Sequence, residues 1–324
     1  MALTAYIMKK RLSGQEKFPL VLMLEPTHLC NLSCLGCGRI QEYRDSLGEM
    51  LSLAQCLEAV EECGAPVVTI TGGEPLIYPQ IYELVAELVK RRKHIYLCSN
   101  GLLLDKALAR LQPSSRLTLS IHLDGLAPTH DRIIGRPGGF DQVLAAIKKA
   151  KALGFQVCTN TSIYRETDIQ EVKSLFSLLT EMNIDGLLVS PAFSFEQVEA
   201  EVFLDREEIK DKFRCLTNNG RDFKFYNSPL YLSFLRGERS YDCTPWANPT
   251  RNPQGWRSPC YQILDGHYPT FQELMEKTSW EKYGVNRDPR CRQCMMHSGF
   301  EPTIVRTLGR NFRDLWEMLR WNLS

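Results

Sequence analysis

Short apolar runs alternate with amphipathic stretches as far as position 191. The runs at 21–25, 67–71, 94–99, 116–122, 155–161 and 187–190 read as strands. Between them, residues 53–62, 81–92, 104–111, 141–153 and 168–182 place apolar side chains at helical spacing, with Leu84 above Leu88 and Val85 above Val89. Alternation of this kind predicts an α/β fold of parallel strands joined by right-handed crossovers. Ligands in such sheets and barrels bind beyond the C-terminal ends of the strands, so the residues after each strand carry the chemical interest. After Pro191 the alternation stops. A charged helical stretch at 205–217 leads into a loop-rich region with many Pro, Asn and Trp residues, a second group of cysteines and a terminal helix at 313–323. The expected organisation is an N-terminal helical segment (1–17), a barrel-type domain (18–191) and an extension (192–324) packed on it.

Composition narrows the classes. The chain has 324 residues, 44% hydrophobic and 24% charged, with a net charge of +1. That balance argues against a nucleic-acid-coating surface or an acidic tail. No apolar run approaches the roughly 20 residues that span a bilayer. Residues 1–17 lack the apolar core of a signal peptide and are partly basic. They suit a helix covering one end of the domain, or an amphipathic helix resting on the inner face of a membrane. Twelve cysteines without a secretory signal point to a cytoplasmic protein with metal-binding and buried free thiols. Cys56, Cys63, Cys158 and Cys215 read as packing residues.

The chemistry starts right after the first strand. Cys30, Cys34 and Cys37 form a Cys-x3-Cys-x2-Cys loop. Thiolates are soft ligands suited to iron–sulfur clusters. Three of them leave a four-metal cluster with one open iron, whereas a structural zinc wants a fourth protein ligand. After the second strand comes Thr71-Gly72-Gly73-Glu74-Pro75. The two motifs in this order resemble the radical S-adenosylmethionine (SAM) superfamily over roughly residues 20–191. The resemblance implies a partial (β/α)6 TIM-type barrel with a loop-rich C-terminal extension. It also implies a [4Fe–4S] cluster whose open iron takes the amino and carboxylate groups of S-adenosylmethionine, and a low-potential electron donor such as ferredoxin or flavodoxin. Gly72, Gly73 and Glu74 would hold the cofactor's ammonium. Ser120, His122 and Asp124, in Ser-Ile-His-Leu-Asp-Gly, resemble the segment that contacts ribose and carboxylate. Asn160 and Ser190 end the fifth and sixth strands and are candidate hydrogen-bond donors. His130, Asp131, Arg132 and Arg136 fall on the expected loop that follows, as a solvated face or with one arginine reaching the carboxylate. Many members carry an aromatic residue just before the third cysteine. This chain has Gly36, so adenine packing must come from elsewhere.

A finer likeness covers nearly the whole chain. Residues 19–26, 97–101 (Leu-Cys-Ser-Asn-Gly), 122–125, 227–230, 248–252, 255–256, 259–261, 283–284 and 290–302 are similar to the adenosylhopane synthase group of hopanoid biosynthesis. The resemblance implies addition of the 5′-deoxyadenosyl radical to the alkene of a hopene such as diploptene. Adding a radical to an alkene leaves a carbon radical that needs a hydrogen atom, and Cys98, ending the third strand, is the candidate donor; the plain alternative is a buried, inert thiol. A hopene-type lipid substrate implies an apolar tunnel, with Phe193, Phe195, Tyr231, Leu232, Phe234, Leu235, Trp246 and Trp256 as candidate lining. Competing readings are hydrogen abstraction from a peptide or small molecule, and a non-catalytic cluster or redox-sensing protein. Cys260 with Cys291 and Cys294 has metal-ligand spacing, His297 or Cys243 being available as a fourth ligand. Alternatively these are packed, reduced thiols. Ser298 stands where related sequences tend to have a cysteine.

Overall fold

The computed structural model describes residues 2–193, 195, 198, 200–217, 223–308 and 311–323. Its six expected parallel strands are β1 (Val21–Thr27), β2 (Val67–Gly72), β3 (His94–Ser99), β4 (Leu117–His122), β5 (Gln156–Ile163) and β6 (Gly186–Pro191). Helix α1 (Ala2–Leu12) precedes them. Between them run α2 (Gly38–Glu42), α3 (Leu53–Cys63), α4 (Ile81–Lys90), α5 (Leu104–Ala107), α6 (Ala127–Ile134), α7 (Gly139–Ala152) and α8 (Ile169–Glu181). Local sequence explains the boundaries. Helix α3 begins at a reciprocal cap, Ser52 and Gln55 satisfying each other's backbone N–H groups, and ends at Gly64 in the left-handed region. Helix α5 is a single turn, shorter than the apolar periodicity of 104–111 implies.

Strand alternation sorts the side chains. Leu22, Leu24, Val68, Ile70, Ile95, Leu97, Leu119, Ile121, Val157, Leu187 and Val189 face the helices and are buried there. The opposite, inner face receives Glu25, Thr71, Cys98, Ser120, His122, Cys158 and Asn160. Pairing is in register: Cys98 lies opposite Ser120, and Ser120 opposite Cys158.

The extension does more than pack on this unit. It contains α9 (Arg206–Thr217), α10 (Pro229–Leu235), α11 (Phe271–Lys277), α12 (His297–Thr307) and α13 (Phe312–Leu323), together with β7 (Thr250–Asn252), β8 (Gly255–Pro259) and β9 (Leu264–Tyr268). Short strands and helices thus stand among the loops of the extension. Strand β7 pairs parallel with β1 and the sheet continues through β8 and β9, in the order β6-β5-β4-β3-β2-β1-β7-β8-β9. The outermost strands are β6, whose Leu187 also pairs with Phe225, and β9, so the sheet stays open. These strands escape periodicity because each is short and rich in polar residues.

A buried ion network fastens the added strands to the first. Arg39 on α2 reaches Glu25 of β1 at 2.9 Å and Glu42 at 2.8 Å. Arg257 of β8 grips both oxygens of Glu42, at 2.7 and 3.0 Å. It also donates to the Tyr43 hydroxyl at 2.6 Å, and the Tyr43 ring stacks on His28. Two carboxylates and two guanidiniums balance one another, as burial requires.

Helix α1 is docked through Tyr6, whose hydroxyl donates to the Pro19 carbonyl at 2.8 Å and whose ring meets Phe18 edge-on. Among the described residues no helix is long and apolar enough to cross a membrane. Cys56, Cys63 and Cys158 are buried as expected, but Cys215 is exposed on α9 and is no packing residue.

Burial opposes ionisation of Glu25, yet Arg39 first, then His28 and Arg257, outweigh it and hold the carboxyl at about 2. A depressed carboxyl stabilises the fold above its unfolded value, and that stability disappears as pH falls toward 2, an amount on the order of 3 kcal/mol. Urea unfolding between pH 6 and pH 3 is therefore expected to show a flatter pH slope in Glu25→Gln than in the parent, and equal slopes would refute this role.

Candidate active site at the C-terminal rim

The cysteine loop lies where β1 ends, and its shape is set by what docks on it. The turn after β2 lies backbone to backbone on residues 27–29. Gly73 N–H donates to the Thr27 carbonyl at 3.0 Å, and Glu74 N–H to the Leu29 carbonyl at 2.8 Å. A Cβ on Gly72 would come within 2.4 Å of the Thr27 oxygen, and one on Gly73 within 2.1 Å of the Leu29 oxygen. Gly72 also has φ of +112°. The close approach these glycines permit is thus first to the cysteine loop itself, a sharper role than closeness to a ligand.

Glu74 braces the next strand. Its buried carboxylate accepts hydrogen bonds from Leu76 N–H (3.0 Å), the Ser99 hydroxyl (2.9 Å) and Asn100 N–H (2.8 Å). Burial raises its pKa above the ordinary value in spite of those donors. Asn100 reaches back across the rim and donates to Asn31 at 2.8 Å, with Cys30 Sγ at 3.9 Å. Spacing alone did not mark Asn100, although it lies in the Leu-Cys-Ser-Asn-Gly stretch.

The three thiols are free and partly exposed, and they act on one another. Burial raises the Cys34 thiol to about 12, helped by the charges of Cys37, Cys30 and Asp124. Burial likewise lifts Cys30. Among the described residues no three His, Cys, Asp or Glu side chains converge on a point to hold a single ion. Three soft thiol donors in one loop are the ligand chemistry of an iron–sulfur centre.

Gly36, with φ of +78°, explains the missing aromatic residue. A Cβ there would lie 2.8 Å from the ring of Tyr164, whose hydroxyl faces the Leu35 carbonyl at 3.4 Å. An aromatic ring does stand beside the third cysteine, and it arrives from the end of β5. The one available signal was an aromatic residue immediately after a strand.

Farther round the rim, His122 Nε2 and Asp124 Oδ2 are 2.6 Å apart. Burial disfavours the charged imidazole, but the Asp124 charge and hydrogen bond win and the His122 pKa rises. The other Asp124 oxygen accepts from Ser162 N–H at 2.8 Å. Asn160 pairs with His122, and Ser190 with Ser162, across the ladder. The structure thus brings Ser120, His122, Asp124, Asn160 and Ser190 into adjoining rows of one face. The expected loop at 130–136 is instead largely α6. His130 is buried, Asp131 caps the N–H groups of Gly138 and Phe140, and Arg132 and Arg136 are exposed.

Cys98 sits on the inner face, opposite Ser120 in the ladder, and burial raises its thiol to about 12. Cys158 shares Ser120 from the other side, likewise raised to about 12 by burial. The expected tunnel lining does not assemble. Tyr231, Phe234 and Trp256 are consumed by the core: Tyr231 donates to the Met295 carbonyl at 2.7 Å, Phe234 stacks on Phe300, and Trp256 packs on Phe271. Leu232 and Leu235 belong to the same core, and Trp246 packs on Trp280 and α1's flank. Only Phe195, seated on Gly38, and Phe193 against it remain beside the cysteine loop.

Comparison with known proteins agrees with this geometry. The family model of the radical SAM superfamily matches residues 24–179, and that of a domain of unknown function, DUF3463, matches residues 187–318. GTP 3′,8-cyclase of Clostridium perfringens is 31% identical over 221 residues, 65% of this chain and 68% of that protein. AdoMet-dependent heme synthase of Methanosarcina barkeri is 29% identical over 168 residues, and the match spans 48% of that protein, about half its length. Among solved structures, anSMEcpe with bound AdoMet superposes with a TM-score of 0.64 at 17% identity, over 94% of this chain and 97% of that one. Streptococcus suis SuiB bound to precursor peptide SuiA gives 0.62 at 16%, over 96% and 73%; at such identities the likeness is one of fold. A cysteine loop of this spacing, at the rim of a parallel sheet of this order, defines a radical enzyme's core, and the chain belongs to the radical SAM superfamily. The cofactors of that superfamily are a [4Fe–4S] cluster and S-adenosylmethionine.

Glu74→Ala strands the Ser99 hydroxyl and Asn100 N–H and is expected to cost about 1–3 kcal/mol in urea unfolding, with Glu74→Gln retaining most of it. Equal stability of Glu74→Ala and the parent would remove the brace. Tyr164→Ala is expected to raise KM for S-adenosylmethionine about three- to tenfold, the worth of one aromatic contact, while Tyr164→Phe stays near the parent. An unchanged KM in Tyr164→Ala would separate Tyr164 from adenine binding.

Proposed function

We propose that the protein joins the 5′-deoxyadenosyl group to the alkene of a hopene-type polyprenoid, forming a carbon–carbon bond in hopanoid biosynthesis. The observation that carries this reading is Cys98, a free, partly buried thiol on the inner sheet face near the C-terminal end of β3. Only an intact S–H can give up a hydrogen atom.

Cys30, Cys34 and Cys37 are the ligands we assign to the cluster. When bound, the cluster and S-adenosylmethionine supply the 5′-deoxyadenosyl radical that adds to the alkene. Everything else falls to the chain. Gly72 and Gly73 fix the loop, and Glu74 positions the end of β3. The His122–Asp124 pair and Asn160, with Ser190 beside them, would hold the cofactor's polar groups, and Tyr164 would pack on its adenine. Addition leaves an unpaired electron on the lipid carbon. Cys98 then hands over its hydrogen atom: S–H breaks, C–H forms, and the saturated adduct is complete. The thiyl left on Cys98 is restored by one electron and one proton, the electron coming from the low-potential donor, ferredoxin or flavodoxin. Ser120, its ladder partner on β4, stands beside the thiol.

Support for the lipid substrate lies in the stretches 227–230, 248–252 and 290–302, which resemble the adenosylhopane synthase group. Phe193 and Phe195, beside the cysteine loop, give the apolar approach. Peripheral contact with the membrane that holds the lipid belongs to the same proposal, and exposed Met8 and Leu12 on α1 are its candidate side chains.

Anaerobic incubation with dithionite, S-adenosylmethionine and diploptene, read by mass spectrometry, tests this. The parent is expected to form the nucleoside–lipid adduct. Cys98→Ala is expected to cleave S-adenosylmethionine yet lose the saturated adduct. An undiminished adduct yield from Cys98→Ala would remove Cys98 from the mechanism, and free 5′-deoxyadenosine alone from the parent would overturn the reaction class.

A further inference from the structure

The extension brings together four thiols that the reaction above does not use. Cys243 precedes the turn Pro245–Ala247, Cys260 follows β8, and Cys291 and Cys294 flank the turn that leads into α12. From these separate segments all four reach one apolar cavity, walled by Phe193, Val285 and Phe300. All are free thiols. Cys294 N–H donates to the Cys291 carbonyl at 3.1 Å, closing the Cys-x2-Cys turn.

Three features go beyond packed, inert thiols. First, the backbone points donors at sulfur. Ile263 N–H lies 3.4 Å from Cys260 Sγ, and the N–H groups of Gly284 and Met296 serve Cys291 and Cys294. Such N–H groups stabilise anionic sulfur around a metal centre. Second, room is made for Cys243. A Cβ on Gly299 would stand 2.4 Å from Cys243 Sγ, so only glycine lets that thiol take its place. Glycine inside a helix costs about 0.5–1 kcal/mol relative to alanine, and here it clears the space for sulfur. Third, cations stand around the group: Arg287 acts on Cys243, Arg290 on Cys260 and Cys291, and Arg206 on Cys294.

We propose that Cys243, Cys260, Cys291 and Cys294 are the four thiolate ligands of a second iron–sulfur cluster, housed in the extension. Of the two candidates for the fourth position, Cys243 lines the cavity together with the other three cysteines and His297 does not. Ser298 leaves the set complete. A single zinc with bonds of about 2.3 Å would draw its four sulfurs to within about 4 Å of one another. Here the four cysteines line a cavity from separate segments of the chain. Thiols set around a cavity suit a multi-iron core. Four protein thiolates leave no open iron, so this centre differs in kind from the loop site.

The test is metal and sulfide analysis of the full chain after anaerobic reconstitution with iron and sulfide. The triple variant Cys30→Ser, Cys34→Ser, Cys37→Ser is expected to keep about half of the parent's iron and sulfide, together with an EPR signal after dithionite reduction. Adding Cys243→Ser and Cys291→Ser should remove both. With the loop intact, Cys243→Ser with Cys291→Ser should lose about half the iron while circular dichroism shows a folded chain. A folded triple variant without iron, or with zinc in its place, would overturn the proposal. If the extension variants fail to fold, the iron count of the triple variant decides alone. Iron content is read without any lipid, so its outcome is separate from the adenosylation reading.

Discussion

Four buried charges hold the structure together around the cysteine loop. Glu25 on β1, Arg39 and Glu42 on α2, and Arg257 on β8 compensate one another where water is excluded. Removing one would leave its partner an uncompensated buried charge, which costs several kcal/mol. The consequence is geometric. The loop enters from β1 and leaves into α2, and both ends are tied to one network. The extension supplies one of its four charges, so the barrel-type unit and the strands beyond Thr250 are braced as a single body.

Glycine contacts complete what the charges begin. Gly72 and Gly73 allow the turn after β2 to lie on residues 27–29, and Glu74 carries that position to the end of β3. Each step is a short hydrogen bond between strand ends. The site is therefore built on sheet geometry, with its side chains placed by register rather than by mobile loops. Cys98, Ser120 and Cys158 illustrate this, three residues of three adjacent strands aligned in one row.

Much of this was legible in the sequence because periodicity reports burial. The six strands of the parallel unit and their larger helices lie close to where apolar spacing puts them, since each buries one face. The cysteine loop and the Gly-Gly-Glu-Pro turn were legible because their chemistry needs those residue types close together. Strands β7 to β9 were not, since three to five residues leave no period to detect. Tyr164 was missed because its role depends on the space that Gly36 leaves, a relation between residues far apart in the chain. The tunnel residues were misjudged for the reason aromatic residues often are: a large side chain in a loop-rich region also suits a core, and Phe234 stacked on Phe300 is core. The fourth member of the second cysteine group was open between His297 and Cys243, and tertiary structure sets Cys243 beside the other three.

The central claim is that a thiol of the chain ends a radical addition, and the origin of the transferred hydrogen tests it most directly. Thiol protons exchange with solvent, whereas carbon-bound hydrogens of the cofactor and lipid do not. The reaction run in deuterium oxide, with the adduct weighed by mass spectrometry, should give a product carrying one deuterium on the lipid carbon next to the new bond. An adduct without deuterium would contradict a thiol donor and the account built on Cys98.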